Sequence, residues 1–181
     1  MKLMFASDIH GSLHGAMKMA DAYEAERADK LILLGDLLYH GPRNDLPKQY
    51  DPKEVAALLN DMKNEILCVR GNCDCEVDQM MLEFPILADY ALLYVDGHTI
   101  FATHGHIYNE TDLPPIKRGD ILIHGHTHIP CALKHEGLYC LNPGSVSLPK
   151  QDFKRSYMIY ENGCLIIKDF KGRLIKSLSL C

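Results

Sequence analysis

Ile121-Leu122-Ile123-His124-Gly125-His126-Thr127-His128 carries two instructions in eight residues. The apolar triplet reads as a short buried strand. Behind it come three histidines in five positions, and imidazole is the commonest side-chain metal ligand. Gly125 lets the backbone turn sharply as it leaves the strand. His126 and His128, two residues apart, can then face the same way. Alone, the stretch fits a solvated polar strand end as well as it fits a metal site. The other strands decide between the two.

Four more apolar runs end in the same manner. The strand expected over Met1–Ser7 breaks at Asp8-Ile9-His10. Leu31–Leu34 stops at Gly35-Asp36, and Ile66–Val69 passes through Arg70 into Gly71-Asn72. Thr99–Thr103 ends at His104. Helices are expected between the first of these strands, over Ser12–Arg27 with Ser12 as N-cap and over Lys53–Lys63 with Pro52 in the first turn. A short helix follows at Glu76–Leu82, before Pro85. Residues 39–51, punctuated by Gly41, Pro42 and Pro47, read as a surface loop. Helical crossovers require the first three strands to be parallel. Their ends then share one rim, and ligand sites in open α/β sheets lie at the carboxyl ends of strands.

From Ala91 onward the pattern changes to strand pairs. Ala91–Val95 and Thr99–Thr103 flank Asp96-Gly97-His98, Cys131–Lys134 and Leu138–Leu141 flank Glu136-Gly137, and Tyr157–Tyr160 and Cys164–Lys168 flank Asn162-Gly163. Helix–strand alternation followed by strand pairs predicts an α/β fold of two packed mixed sheets with helices outside. No repeat or linker divides the chain, so a single domain over 1–181 is expected.

Composition narrows the function classes. The 181 residues are 47% hydrophobic and 24% charged, with a formal net charge of −5. Residues 1–90 hold 9 basic and 16 acidic side chains, whereas residues 91–181 hold 10 and 8. This balance argues against a broad nucleic-acid-binding surface. The seven cysteines form an odd set without a paired C-x-x-C, as expected in a reducing cytoplasm. Leu3–Ala6 is too short for a signal-peptide core, and no run is long enough to span a membrane.

The seven candidate ligands are Asp8, His10, Asp36, Asn72, His104, His126 and His128. They exceed the needs of one tetrahedral ion and suit a pair. Their mixture of oxygen and nitrogen suits manganese, iron, zinc or nickel better than calcium. A pair of ions needs a bridge, and Asp36, alone at its strand end, is the natural one. Two carboxylates against two divalent ions leave positive charge, which attracts an anionic substrate and acidifies bound water.

These residues also carry a resemblance. Asp8-x-His10, Gly35-Asp36, Gly71-Asn72, His104 and Gly125-His126-x-His128 match in order the signature of the calcineurin-like metallophosphoesterases. Ser7–Ser12, His40–Asn44, Arg70–Asp74 and Asn142-Pro143-Gly144-Ser145 look like the small YfcE-type bacterial phosphodiesterases. The resemblance covers nearly the whole chain. It implies a four-layer αββα sandwich and a site for two divalent ions, manganese first, with nickel, cobalt, zinc or iron as the alternatives. Asp8, His10 and His128 would serve one ion, Asn72, His104 and His126 the other, and Asp36 both. It further implies hydrolysis of a small phosphate ester, most naturally a diester, by in-line attack of a metal-bridging hydroxide. Asp36, Asn72 and Asp74 are the catalytic candidates on this reading. A homo-oligomer is an open possibility.

One position departs from the larger relatives, which carry histidine after the Gly-Asn pair. Here it is Cys73, and a thiol does not replace imidazolium as a general acid, a loss worth about 10²–10⁴-fold. Diesters with good leaving groups depend less on that acid than alkyl monoesters do. Arg43 and Cys73 are expected to touch substrate, Arg43 as a bidentate phosphate ligand, although a plain surface arginine fits as well. His106 and His124 flank ligands and either orient them or are solvated. His14, His98 and His135 read as surface residues. Asn142–Ser145 reads as a tight turn beside the site, with structural and phosphate-contacting roles both open. The competing classes are a phosphomonoesterase and a protein-sorting scaffold of the same fold, whose members tend to have degraded ligand sets.

Overall fold

The computed structural model describes residues 1–135 and 137–180, with His135 described by its backbone alone. Glu136 of the expected Glu136-Gly137 turn and the seventh cysteine, Cys181, lie outside the described residues. The elements in chain order are β1 (Lys2–Ala6), α1 (Leu13–Glu26), β2 (Lys30–Leu33), α2 (Pro52–Asp61), β3 (Ile66–Cys68), α3 (Glu76–Met81), β4 (Tyr90–Val95), β5 (His98–Thr103), β6 (Ile121–Ile123), β7 (Cys131–His135), β8 (Leu138–Asn142), β9 (Ser156–Glu161), β10 (Cys164–Asp169) and β11 (Leu174–Ser179). Ser12 caps α1 as expected, its hydroxyl accepting from Gly15 N at 3.1 Å. Asp51 caps α2 and Pro52 opens it.

The strands form two mixed sheets, a six-stranded one ordered β11-β10-β9-β1-β2-β3 and a five-stranded one ordered β4-β5-β6-β8-β7. β1, β2 and β3 are parallel neighbours, as are β5, β6 and β8. The β4–β5 and β9–β10 hairpins turn through Asp96-Gly97 and Asn162-Gly163, with positive φ at all four residues. Sequence reasoning missed β11. Its half-exposed Leu174-Ile175-Lys176-Ser177-Leu178-Ser179 pattern lacks the continuous apolar run that announced the other strands.

Period-2 alternation sends each central strand's side chains into two cores. Leu3, Phe5, Ile32 and Leu34 meet Ile100, Ala102, Ile121 and Ile123 between the sheets. Met4, Ala6, Leu31 and Leu33 face the other way, onto Ala16 and Met19 of α1 and Val55 and Leu59 of α2. Each fully buried aliphatic side chain contributes about 1.5–3 kcal/mol. Phe101, Leu122, Leu138 and Cys140 lie on the outer face of the smaller sheet under Tyr108, Leu113 and Ile116. That outermost layer is the irregular 105–120 segment. The larger sheet alone carries helices packed on its core among the described residues. No helix is long and apolar enough to cross a membrane.

Candidate metal centre

The parallel order of β1, β2 and β3 releases Asp8, His10, Asp36 and Asn72 along one rim of the larger sheet. β5 and β6 bring His104, His126 and His128 to the same rim from the smaller sheet. Backbone bonds lock the strand exits together, from Asp8 N to Gly35 O at 3.1 Å, His10 N to Asp36 O at 2.9 Å and Gly125 N to His104 O at 2.7 Å. Asp8, His10, Asp36, His126 and His128 all have left-handed backbone, with φ of 60°, 51°, 56°, 65° and 61°. Such residues cost about 1–3 kcal/mol each and gather at functional sites.

The expectation for Gly125 needs correction. Its φ is not in the left-handed region, and the turn is made by His126 and His128. Glycine is required at 125 because a Cβ there would collide with Ser7 Oγ and press on Asp8 Oδ2. Gly71 answers a similar demand, since a Cβ would strike the backbone and carboxylate of Asp36.

The side chains form two clusters joined at one carboxylate. In the first, His128 Nε2 lies 3.2 Å from Asp8 Oδ1 and 3.3 Å from His10 Nε2. His10 Nε2 is 3.6 Å from both Asp8 Oδ1 and Asp36 Oδ2. In the second, His104 Nε2 is 3.4 Å from Asp36 Oδ2, 3.0 Å from Asn72 Oδ1 and 3.3 Å from His126 Nδ1. Asp36 Oδ2 therefore faces an imidazole of each cluster, while its Oδ1 accepts from Cys73 N at 2.8 Å. His126 and His128 share the rim but point into different clusters.

Hydrogen bonds fix three of the ring tautomers. His10, His104 and His128 each place Nδ1 against a backbone carbonyl, those of Tyr39, Leu34 and Leu148, at 2.8, 2.6 and 2.6 Å. A carbonyl only accepts, so Nδ1 carries the hydrogen and each neutral ring turns an Nε2 lone pair inward. Electrostatics follow from this crowding. Burial opposes charge on His104, but the Asp36 carboxylate overrides it and lifts the ring to about 9. Burial opposes charge on Asp8 as well, yet His10 and His128 hold it well below the usual carboxylate range. Burial, and then the charge on His104, push His126 down to about 4.

A cation fits this arrangement better than protons do. The Nε2 lone pairs of His10 and His128 face each other with no hydrogen to share when both rings are neutral. Asp8 Oδ1 is buried without a hydrogen-bond partner. Each polar mismatch inside a protein is costly, and a divalent ion would settle both. Imidazole tethered through its second nitrogen to a carbonyl is the usual support of a metal ligand. Asp8, His10 and His128, and separately Asp8, Asp36 and His104, each offer ligand atoms within 4.8 Å of one another.

The centre lies beside a cleft of about 420 Å³ lined in part by Arg43, Asn72, Cys73, His126, His128 and Lys150. Lys150 is a second cation in the cleft that sequence reasoning missed, because nothing distinguishes it from any surface lysine until its loop folds back. Cys73 lines the cleft, and burial, then the Asp36 charge, push its thiol up to about 12.

Asp74 needs a correction. Its carboxylate is buried and accepts from Asp36 N, Leu37 N and Gly71 N at 2.8, 2.9 and 2.7 Å. It holds the backbone beneath Asp36 and does not line the cleft, so its place is that of a positioning residue. The Asn142–Ser145 turn is structural in the same sense. Asn142 Nδ2 donates to Gly125 O at 2.7 Å, and the Ser145 and Ser147 hydroxyls donate to Asp8 O at 2.9 and 2.8 Å. His124 is buried with Nε2 2.8 Å from Glu110 Oε2, so it is not a solvated residue. His106 is exposed, its ring centroid 5.4 Å from that of His104.

Known proteins share this architecture. The family model of the calcineurin-like phosphoesterase superfamily domain matches residues 1–163. The phosphodiesterase YfcE of Escherichia coli K12 is 45% identical over 167 residues, 92% of this chain and 91% of its own. The solved structure of E. coli YfcE, described as a phosphoesterase, superposes with a TM-score of 0.98 over 100% of both chains at 41% identity. A zinc complex of Vps29 from Entamoeba histolytica reaches a TM-score of 0.63 at 20% identity over 100% of both chains, a likeness of fold alone. With that match over most of its length, the chain belongs to the calcineurin-like phosphoesterase superfamily.

Proposed function

We propose that this chain is a metal-dependent phosphodiesterase acting on a small phosphate ester in the cytoplasm, with two divalent ions, manganese first among them, as its cofactors. The observation that carries the reading is the convergence of three carbonyl-tethered imidazoles on two buried carboxylates beside a cleft with two cations. Asp8, His10 and His128 would hold one ion, Asn72, His104 and His126 the other, and Asp36 both. Such ions supply Lewis acidity for the phosphoryl group and bring the pKa of water towards neutrality.

The chain's own residues do the rest. Arg43 is exposed in the cleft, where its planar fork can take two phosphate oxygens. Lys150 adds a second, less directional positive charge. Asp74 keeps the Asp36 backbone in place through its three N–H acceptor contacts. Cys73 presents its thiol to the cleft. It cannot deliver a proton to an alkoxide as imidazolium does, which favours diesters with good leaving groups over alkyl monoesters.

The test is a panel of aryl diesters and alkyl and aryl monoesters on metal-stripped protein, re-supplied with manganese, nickel, cobalt, zinc or magnesium singly. Diester hydrolysis restored by one or more ions is expected, with manganese giving the highest rate. Full activity after exhaustive chelation, with no metal detectable, would remove the metal-dependent reading.

A further inference from the structure

Donor atoms of His10, Asp36 and Cys73 lie within 4.8 Å of one another, a third grouping beside the two already described. It differs from them in kind. Asp8 with His10 and His128, and Asp8 with Asp36 and His104, offer only oxygen and nitrogen. The third grouping adds sulfur, and all three of its residues line the cleft. Among the described residues, no other cysteine falls in such a grouping.

The thiol is placed by the chain around it. Cys73 N donates to Asp36 Oδ1 at 2.8 Å, and Asn72 Nδ2 donates to Cys73 Sγ at 3.3 Å. Gly41 of the 39–51 loop lies against the sulfur, where a Cβ would come within 3.2 Å of it. Burial and the charges of Asp36, Asp74 and Asp8 keep the proton on Cys73. The same carboxylates attract a cation, and a metal bound at sulfur takes the place of that proton. Softness decides which cation does so. Manganese and magnesium favour oxygen donors, whereas thiolate selects zinc and softer ions.

We propose that Cys73 is an optional metal ligand, joining His10 and Asp36 around a thiophilic divalent ion such as zinc and standing free beside a hard one such as manganese. The inference rests on the metal-dependent reading above and adds to it a ligand that appears in neither of its two sets. On loading, an Sγ–zinc bond forms, the thiol proton passes to solvent and a water leaves for the bulk. No electron changes hands. Bonds of about 2.0–2.3 Å would draw the three donors closer together. Because Sγ approaches from the cleft, it takes up the side from which a phosphate ester must arrive. Zinc held in this way is a poor catalyst, and manganese, left open to the cleft, a good one. Position 73 then sets which ions the chain can use.

Cadmium titration of the full, metal-stripped chain reads the sulfur bond without turnover. An ultraviolet thiolate-to-cadmium band should appear in wild type and in Cys75→Ser and be absent from Cys73→Ser. Alkylation mapped by mass spectrometry should modify Cys73 about tenfold or more slowly in zinc-loaded than in manganese-loaded wild type. With an aryl diester, Cys73→Ser should raise the zinc-to-manganese ratio of kcat/KM by about tenfold. Should Cys73→Ser fail to fold, Cys73→Ala replaces it, and the alkylation needs no variant. A cadmium-loaded wild type without the band, or a band that survives in Cys73→Ser, would overturn the proposal and leave the metal-dependent reading standing. Equal alkylation in the two metal forms or an unmoved kinetic ratio would do the same. A chain that takes up no divalent ion by metal analysis would overturn both.

Discussion

Two clusters of charge on the larger sheet resolve the same problem in opposite ways. On the helix-covered side, Glu26 at the end of α1 meets Lys168 at 2.7 Å, Tyr157 OH at 2.8 Å and Lys2 at 2.9 Å. Its carboxylate is satisfied by permanent cations and a hydroxyl from the chain itself. At the strand exits, each of Asp8 and Asp36 takes one backbone N–H on one oxygen and turns the other, Asp8 Oδ1 or Asp36 Oδ2, towards imidazoles, whose neutral rings point lone pairs inward. Burial works against the charge of each acid. One cluster contains its own countercharge and is a structural joint. The other leaves its countercharge to be supplied from outside, which is what makes it a site.

The strongest way to break the contrast is to weaken the acid shared by both halves of the site. Asp36→Asn should lower kcat/KM for an aryl diester by about a hundredfold or more, with loss of bound metal, and cost more than His10→Ala. Metal analysis beside the kinetics is the check. An active Asp36→Asn protein with full metal content would show that the two halves do not depend on that carboxylate.

Glu26→Gln probes the other cluster and should leave the diester rate alone while lowering stability by about 1–3 kcal/mol in denaturant melts. It should also change the acid limb of stability. Burial opposes charge on Glu26, but Lys168 and Lys2 hold its folded-state pKa at about 2, below the ordinary value of 4.5. Between those values the unfolded chain binds the proton more readily, so stability falls as pH drops from about 4.5 towards 2. Glu26→Gln should flatten that part of the profile. An unchanged acid limb would place the sensitivity elsewhere.

Smaller effects sharpen the picture of the cleft. Arg43→Ala should raise KM for the diester by about tenfold with little change in kcat, as expected for a contact equal in ground and transition states. Unchanged kinetics would return Arg43 to the surface. Cys73→His should shift the ratio of alkyl-monoester to aryl-diester kcat/KM towards the monoester by a few-fold. The shift is modest because Asp74 is committed to three backbone donors and is not placed to orient a new ring. A fixed ratio at intact metal content would leave pocket shape as the determinant.

The rim of candidate ligands is largely legible in the sequence, because the candidates follow continuous apolar runs and such runs are the strongest local signal of a strand. Asp36 and His104 needed only that signal to be placed. Other features depend on contacts distant in sequence. The resemblance puts Asp74 among the catalytic candidates, but three backbone donors claim its carboxylate. The sequence suggests a sharp turn at Gly125, whereas the constraint is the Ser7 hydroxyl approaching from another strand. Lys150 has no local signature. β11 was missed because a half-exposed edge strand mixes Lys and Ser into its pattern. The irregular layer over Phe101 and Leu122 has no periodicity to read.

The carbonyl tethers on His10, His104 and His128 have one further consequence. Tyr39, Leu34 and Leu148 hold these rings through contacts made by the chain itself, and left-handed backbone fixes the exits of five candidate ligands. Donors held in this way would be aimed by the chain rather than by the ion, with little rearrangement left for an arriving ion to drive. A receptor shaped in advance does not remodel itself around one preferred guest. Discrimination among divalent ions then falls to each ion's own coordination habits and to its abundance in the surrounding fluid. On the two-ion reading, the occupant would be a property of the cell's metal economy as much as of the chain.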